Sequence, residues 1–549
     1  MFLAKPLKKF LARYTIPNAI PLPANHCVIE KILLHVYRWK MTNPPEQCPS
    51  VHKWIVFLGQ ILTLAYLIAV CIHFSSRQVM WLDEFFSWNL LTDRSLVHAL
   101  GAWGHGADSG GPLYYIVGWL LVRLTGPSVL AVRLFSAVCL GLASVLYWKL
   151  LARMFSGMAA FIGIFLIWCS HELLIRVSEA RFYGFYVLVA VVAIYATLFS
   201  VDRETQPLKA FFICLGAHAA LLGSHIMGIV YSGLILVAVL SGKRSKKQLA
   251  AAAGIVSSWS VLIFFRKAIY YGSGNAPVAD KPTLLNLTEY YHFPDSLSLA
   301  ILGLLAVLTA SIILLYFFRG KNTESSPSTL IKISILFYFS PLFFYVLSIW
   351  KQPVFSSRYM YPNMLAFAAF GCVLAWLFFR IPTLEKNPAL RYGVFSILIA
   401  LLAVRHYKEL SSSVPIRALP DIAAIQRSDN GLPIVCPNAG LFFDLAYYYQ
   451  RPDFHVYFLS TLNAAMHRNP NGPLGIMETI QQHGYWPGQI QDASYFIENH
   501  NSFMYLDFPA QEGFRHAYLG GPDWHVEKLG SILSLDGPAD IVRYDRIKH

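Results

Sequence analysis

Residues 81–91 read Trp-Leu-Asp-Glu-Phe-Phe-Ser-Trp-Asn-Leu-Leu, and the acidic pair inside them, Asp83 and Glu84, decides how the chain is read. The pair follows the first long apolar run and leads into an unusually polar loop. Carboxylates at a membrane face are costly and seldom incidental. The chain around them is apolar: of 549 residues 56% are hydrophobic and 13% charged, where ordinary soluble proteins carry about 25% charged residues. Mean hydropathy is +0.48. Apolar runs of about 20 residues recur, the length a helix needs to cross a bilayer. Many Trp and Tyr residues sit at the ends of runs, where amphipathic rings favour the interface.

The net charge of +14 does not point to nucleic acid, because the basic residues cluster in short loops between apolar runs. That is the positive-inside pattern, and contact with anionic membrane lipid follows from it. The eight cysteines form no CxxC and most lie in or beside apolar runs, so neither a disulfide framework nor a zinc site is supported. Residues 1–53 are basic and proline-punctuated and read as a cytoplasmic tail without a signal peptide, starting at Met1 or Met41.

The expected spans are 54–74, 129–151, 158–170, 182–200, 210–223, 227–240, 249–265, 298–318, 330–350, 360–379 and 392–407, about eleven transmembrane helices. The run 112–126 is apolar but short and carries Arg123, so it reads as a helix lying along the interface. With the N-terminus inside and 112–126 not crossing, the inside loops carry Arg153, then Arg203 and Lys209, then Lys243 to Lys247, then Arg319, Lys321 and Lys332, then Arg380, Lys386 and Arg391. Each obeys the positive-inside rule, and counting 112–126 as a span would put all of them outside. The outer side then holds the loop 75–128, the segment 266–297, the link 351–358 and a tail from 408 to 549. Strand-like runs at 432–436, 455–458 and 502–506 alternate with helical ones at 441–449 and before 502, which suits a small extracytoplasmic α/β domain.

None of the expected spans has Asp or Glu in its middle, where ion-driven transporters usually need them. The carboxylates gather at the outer face instead: Asp83, Glu84, Asp93, Asp108, Glu172, Glu179, Asp280, Glu289 and Asp295. This favours chemistry on a substrate reached from outside.

Four segments, in this order, resemble the GT-C superfamily of polyprenyl-phosphate-sugar glycosyltransferases. They come closest to the branch with the protein O-mannosyltransferases and the lipid A aminoarabinose transferase. WLDEFFSWNLL (81–91) is similar to the first-loop acidic motif. GGPLYYIVGWLLVRLTG (110–126) with VRLFSAVCLGLASVLYW (132–148) is similar to the "HPPLYY … RLPSAL" run. SEARFYGFYVL (178–188) is similar to "QEARMYAL", and PVFSSRYMYPNMLAF (353–367) to "RY..P" before a late helix. The likeness spans about residues 54–405. One departure stands out: where relatives often have His-Pro-Pro, this chain has Gly110-Gly111-Pro112, so a role for that histidine is lost or moved to His105.

The resemblance implies a GT-C catalytic region over 54–407, with the active site in the loop 75–128. The reaction it implies is inverting transfer of a sugar from a polyprenyl-phosphate donor to an extracytoplasmic lipid, glycan or protein, at a cell membrane, the bacterial inner membrane being the natural setting. Asp83 would be the base that takes the acceptor's proton, the alternative being a helix cap or solvated carboxylate. Glu84 would orient the acceptor or bind a divalent cation, the one cofactor suggested. Arg181 and Arg358 would meet the phosphate, since guanidinium suits oxyanions, against the plainer readings of an Arg181–Glu179 anchor and a snorkelling Arg358. Glu179, Tyr359, His105, Asp108 and Tyr114 complete the expected substrate-binding set, while His218 and His225 read as packed or pore-lining. The rival reading is a transporter or flippase of a lipid-linked sugar, which predicts polar residues along a path and two similar halves; neither is seen.

Overall fold

The computed structural model describes residues 50–168, 174–176, 178–201, 205–241, 245–265, 281–291, 326–350, 355–411, 419–428, 431–452, 454–460, 473–508, 519, 521–534 and 537–547. The chain divides into two units, Met1–Gly59 and Gln60–His549. Of the first, only 50–59 is described, as the start of helix α1 (Ser50–Ser75).

The helical part continues with α2 (Leu82–Thr92), α3 (Leu96–Gly104), α4 (Pro112–Thr125), α5 (Val129–Met154), α6 (Gly157–Trp168), α7 (Tyr183–Val201), α8 (Pro207–Ser224), α9 (Gly228–Leu240), α10 (Lys246–Ser258), α11 (Ser326–Tyr338), α12 (Ser340–Trp350), α13 (Met364–Phe378) and α14 (Pro388–Ser411). Helical structure stands at every expected span except 298–318, which lies outside the described residues. Among the described residues six helices are long and apolar enough to cross a membrane: Val129–Met154, Tyr183–Val201, Pro207–Ser224, Lys246–Phe265, Ser328–Trp350 and Tyr361–Phe378. Within the span Ser328–Trp350 a one-residue turn at Phe339 separates α11 from α12. Pro341 explains the break: it has no N–H to give and its ring crowds the carbonyl four residues back.

Helix α7 packs against both α5 and α8, α6 against α13, and α8 against α10. With no water-driven force between helices in lipid, such packing relies on close van der Waals contact at small residues. Gly184 shows it: a Cβ there would stand 1.9 Å from the Ser136 carbonyl oxygen of α5.

The tail forms the expected α/β structure. Its sheet runs β3-β2-β1-β4-β6-β5, from β1 (Ile434–Val435), β2 (Val456–Ser460), β3 (Ile490–Asp492), β4 (Ser502–Asp507), β5 (Trp524–Ser534) and β6 (Gly537–Arg546). The β1–β2, β1–β4 and β2–β3 pairs are parallel, and the β5–β6 hairpin adds antiparallel to β4. Helices α15 (Ala439–Tyr448), α16 (Pro473–Gln482) and α17 (Ala493–Asn499) accompany the parallel strands.

The core of this sheet layer is not closed by the tail alone. Met80, Phe85 and Phe86, from the first loop, are buried in the same cluster as Ile434, Phe443 and Phe458. Phe85 stacks on Phe443 at 4.9 Å, the Met80 N–H donates to the Tyr448 hydroxyl at 2.9 Å, and Trp486 Nε1 donates to Asn89 Oδ1 at 3.1 Å. Helix α2 therefore serves two layers, with its Phe85 and Phe86 face in the α/β core. Phe85→Ala should cost about 3–5 kcal/mol, the usual range for emptying a buried phenylalanine site. A clear fall in the apparent melting temperature of the purified protein is expected, with no comparable fall for Phe264→Ala, whose side chain is 70% exposed.

Candidate active site

The first turn of α2 carries Asp83 and Glu84, which complement the positive end of the helix. Glu84 reaches back to accept from the Trp81 N–H at 3.1 Å, which fixes where the helix starts. Its carboxylate goes further. It takes Arg133 Nε at 2.9 Å on Oε1, Arg133 Nη2 at 3.0 Å on Oε2, and the Ala180 N–H at 2.7 Å on Oε1. Arg133 also donates to the carbonyls of Ser75, Gln78 and Val79 at the exit of α1. The Glu84 and Arg133 side chains are each 1% exposed. This pair ties α1, α2, α5 and the 178–181 segment at one point.

A second buried pair lies beside it. Arg181 Nη1 donates to Asp108 Oδ1 at 2.8 Å and Oδ2 at 2.7 Å, to Ser87 Oγ at 2.9 Å and to the Asp83 carbonyl at 2.8 Å. Ser87 Oγ donates to Asp108 Oδ2 at 2.6 Å, and the Ser109 N–H donates to Asp108 Oδ1 at 2.6 Å. Arg181 and Asp108 are thus committed to each other and to the floor beneath Asp83.

Asp83 is the accessible member of this group, its side chain 23% exposed. Its Oδ2 accepts from Arg358 Nη1 at 2.9 Å and stands 3.9 Å from Arg181 Nη2. Arg358 also lies over the Trp81 ring at 5.5 Å, and Arg176 over the same ring at 5.3 Å. Arg176 and Arg358 both stay partly exposed. Arg176 Nη1 donates to Glu179 Oε1 at 2.9 Å. Burial outweighs that guanidinium and pushes the Glu179 carboxyl up to about 8.

The other expected residues separate. Tyr359 joins the site from behind: its ring stacks on His225 at 5.0 Å, and His225 on Phe182 at 4.5 Å. Burial, with the nearby Arg181 charge, pushes His225 down to about 3, so it is a neutral packed imidazole. His218 is packed as well, between Thr197 Oγ1 at 3.1 Å and Ser232 Oγ at 2.9 Å. Tyr114 is fully buried, its ring 5.7 Å from Phe135 and 6.2 Å from Phe182. His105 does not join the Asp83 group; its Nδ1 lies 2.8 Å from Nε2 of His483 in the α/β layer. Glu172, Asp280 and Asp295 lie outside the described residues, as do Lys267 and Lys351, two further lysines that the sequence offers as phosphate candidates.

Sequence reasoning missed Arg133, Arg176, Ser87 and Trp81. Arg133 had a readable signal, a cation one turn into an apolar run, where an ionisable side chain needs a partner. Among the described residues no group of three or more His, Cys, Asp or Glu side chains is arranged to hold a metal ion. The donor set agrees: both Glu84 oxygens are bonded to Arg133, and Asp83 Oδ2 faces two guanidinium groups, which repel a cation.

The helical bundle joined to a small α/β layer is a fold with counterparts among solved structures. Crystal structures of ArnT from Cupriavidus metallidurans share it. The apo form aligns at a TM-score of 0.57 with 12% identity, over 90% of this chain and 98% of that one. The form bound to undecaprenyl phosphate aligns at 0.52 with 13% identity, over 88% and 97%. An oligosaccharyltransferase from Archaeoglobus fulgidus, tethered to an acceptor peptide, aligns at 0.45 with 12% identity, over 89% and 74%. No family model matches the sequence, and no curated protein sequence matches it.

The Glu179 carboxyl gives a pH signature. Its folded value near 8 lies above the ordinary 4.5. Between those values the folded chain keeps a proton that the unfolded chain has released, so stability falls as pH rises through the window. Melting of the purified protein across pH 5–8 should show this decline, and Glu179→Gln should flatten it.

Proposed function

We propose that the chain is an inverting glycosyltransferase moving a sugar from a polyprenyl-phosphate carrier to an acceptor on the outer side of a cell membrane. The observation that carries this is the partly exposed Asp83 carboxylate, fixed on a helix N-terminus beside partly exposed cations, above a floor of fully paired charges. The GT-C fold supports it, and so does the ligand of one structure of that fold, undecaprenyl phosphate.

In this reading the acceptor's hydroxyl or amine approaches Asp83, whose oxygen takes its proton. The acceptor atom attacks the anomeric carbon from the face opposite the phosphate. The bond from that carbon to the phosphate oxygen breaks, its electron pair leaves with the carrier phosphate, and configuration inverts. A glycosyl phosphate brings its own leaving group, so one positioned base suffices. Arg358 and Arg176, both over the Trp81 ring, are the cations placed to meet the phosphate. Arg181 acts as a positioning residue, holding the Asp83 carbonyl while Asp108 and Ser87 hold it in turn. Glu84 is likewise a positioning residue, through Arg133 and the Ala180 N–H. The N-terminus lies inside, the loop 75–128 and the α/β layer outside, and helix α4 along the surface.

Asp83→Asn keeps shape but cannot take a proton, and turnover should fall by about 10²–10⁴-fold, the usual share of a general base. Binding of polyprenyl phosphate should stay near normal; full activity in a folded Asp83→Asn protein would remove the assignment. Arg358→Ala should weaken that lipid's binding about tenfold, as the loss of a charge-assisted contact implies. Glu84→Gln separates positioning from catalysis. It breaks a buried ion pair, a loss of about 3–5 kcal/mol, and should show first in the melting temperature.

A further inference from the structure

Several buried polar atoms around Asp83 have no hydrogen-bond partner among the described residues: Trp81 Nε1, Glu179 Oε2, Arg181 Nε and Tyr183 Oη. Buried polar groups in folded proteins usually find a partner. Glu179 is 5% exposed, Arg181 2% and Tyr183 0%. They are linked through shared neighbours. The Trp81 ring carries Arg358 and Arg176, and Glu179 holds Arg176 through its other oxygen. Tyr183 sits in the field of Arg181, Glu179, Arg358 and Asp83.

We propose that Trp81, Glu179 and Tyr183 form the subsite for the hydroxyl groups of the transferred sugar, beside the Asp83–Arg358 pair. This rests on the glycosyltransferase reading above and adds where the sugar is recognised. The chemistry of the orphaned atoms selects the ligand class. Indole and guanidinium N–H groups only donate, while the proton-bearing Glu179 carboxyl and the Tyr183 phenol can each donate and accept. A carrier phosphate offers acceptors alone and would leave the accepting capacity of the carboxyl and the phenol unused. A lipid tail offers neither. A polyhydroxylated ring offers donors and acceptors together on a small perimeter. A site whose polar atoms are filled by substrate hydroxyls also discriminates strongly, because a ligand lacking them leaves those atoms buried and unpaired.

The test compares three lipids on the purified full-length protein: bare undecaprenyl phosphate and its hexose-linked and pentose-linked forms. The wild type should bind at least one sugar-linked form more tightly than the bare carrier. Tyr183→Phe and Glu179→Gln should each reduce that preference severalfold, as the loss of a buried hydrogen bond implies. Binding of the bare carrier should stay unchanged in Tyr183→Phe, while Glu179→Gln also loosens Arg176 and is read through the ratio of sugar-linked to bare binding. Equal binding of all three lipids by the wild type overturns the subsite. So does a preference that survives both substitutions, or an equal loss for bare and sugar-linked lipids, which would mean a packing or phosphate role. A wild type that binds no bare carrier sinks the donor reading itself and is told apart by that arm.

Discussion

The site depends on two carboxylate–guanidinium pairs taken almost wholly out of solvent, Glu84 with Arg133 and Asp108 with Arg181. Such pairs add little net stability, because removing two charges from water costs about what their attraction returns. What they supply here is position. Each arginine reaches atoms on several segments: Arg133 the carbonyls at the end of α1, Arg181 the Asp83 carbonyl and Ser87. Losing one partner leaves a buried charge uncompensated, so the network holds as a unit. Asp83 sits above it with one oxygen toward Arg358 and a share of its surface exposed. A carboxylate so mounted is held in place by the pairs beneath it.

The same economy explains the α/β layer. Helix α2 is short, Leu82–Thr92, and helices of that length are marginal alone. Its Glu84 and Ser87 side chains bond into the helical part, while Phe85 and Phe86 join the core under the sheet. The layer is thus part of what holds Asp83, whatever else it contacts. His105 has the same character: in place of a substrate it meets His483, and the neighbouring Asp93 accepts from the Tyr485 hydroxyl. Both contacts fasten the far end of the first loop to the α/β layer.

Much of this was legible in the sequence, for identifiable reasons. Apolar runs fix helices because nothing else satisfies the backbone in lipid, and Pro341 escaped only because the hydropathy of 330–350 is continuous across it. Strands β1, β2 and β4 showed as short apolar stretches such as Leu432 to Cys436, while the three-residue β3 was passed over. The β5–β6 hairpin did not: β5 is an edge strand whose residues Val526 and Leu533 are exposed, so its pattern looks like loop. In the candidate site, acidic residues in the segments expected on the outer side pointed to Asp83, Asp108 and Glu179. Their division into one accessible group and several committed ones could not be read, because it depends on which arginine each meets. Arg133 and Arg181 are distant from their partners in the chain and meet them only through the fold.

The Gly110-Gly111 departure from the His-Pro pattern of the resembled family has a steric cause. The Gly111 N–H donates to the Ser224 carbonyl at 3.0 Å, a bond proline could not make. A Cβ at Gly111 would stand 2.2 Å from the Gly223 carbonyl oxygen, and one at Gly110 would stand 2.6 Å from the Tyr115 hydroxyl. The loop is therefore drawn against the C-terminal end of α8, into space that a histidine and a proline would need. The imidazole that does come close is His225, just past α8, stacked on Phe182 and within the field of Arg181 and Asp108. The glycines and that histidine are one arrangement: removing side chains at 110 and 111 lets the 108–112 turn close on α8, and the closure sets Asp108 against Arg181 beneath the Asp83 carbonyl.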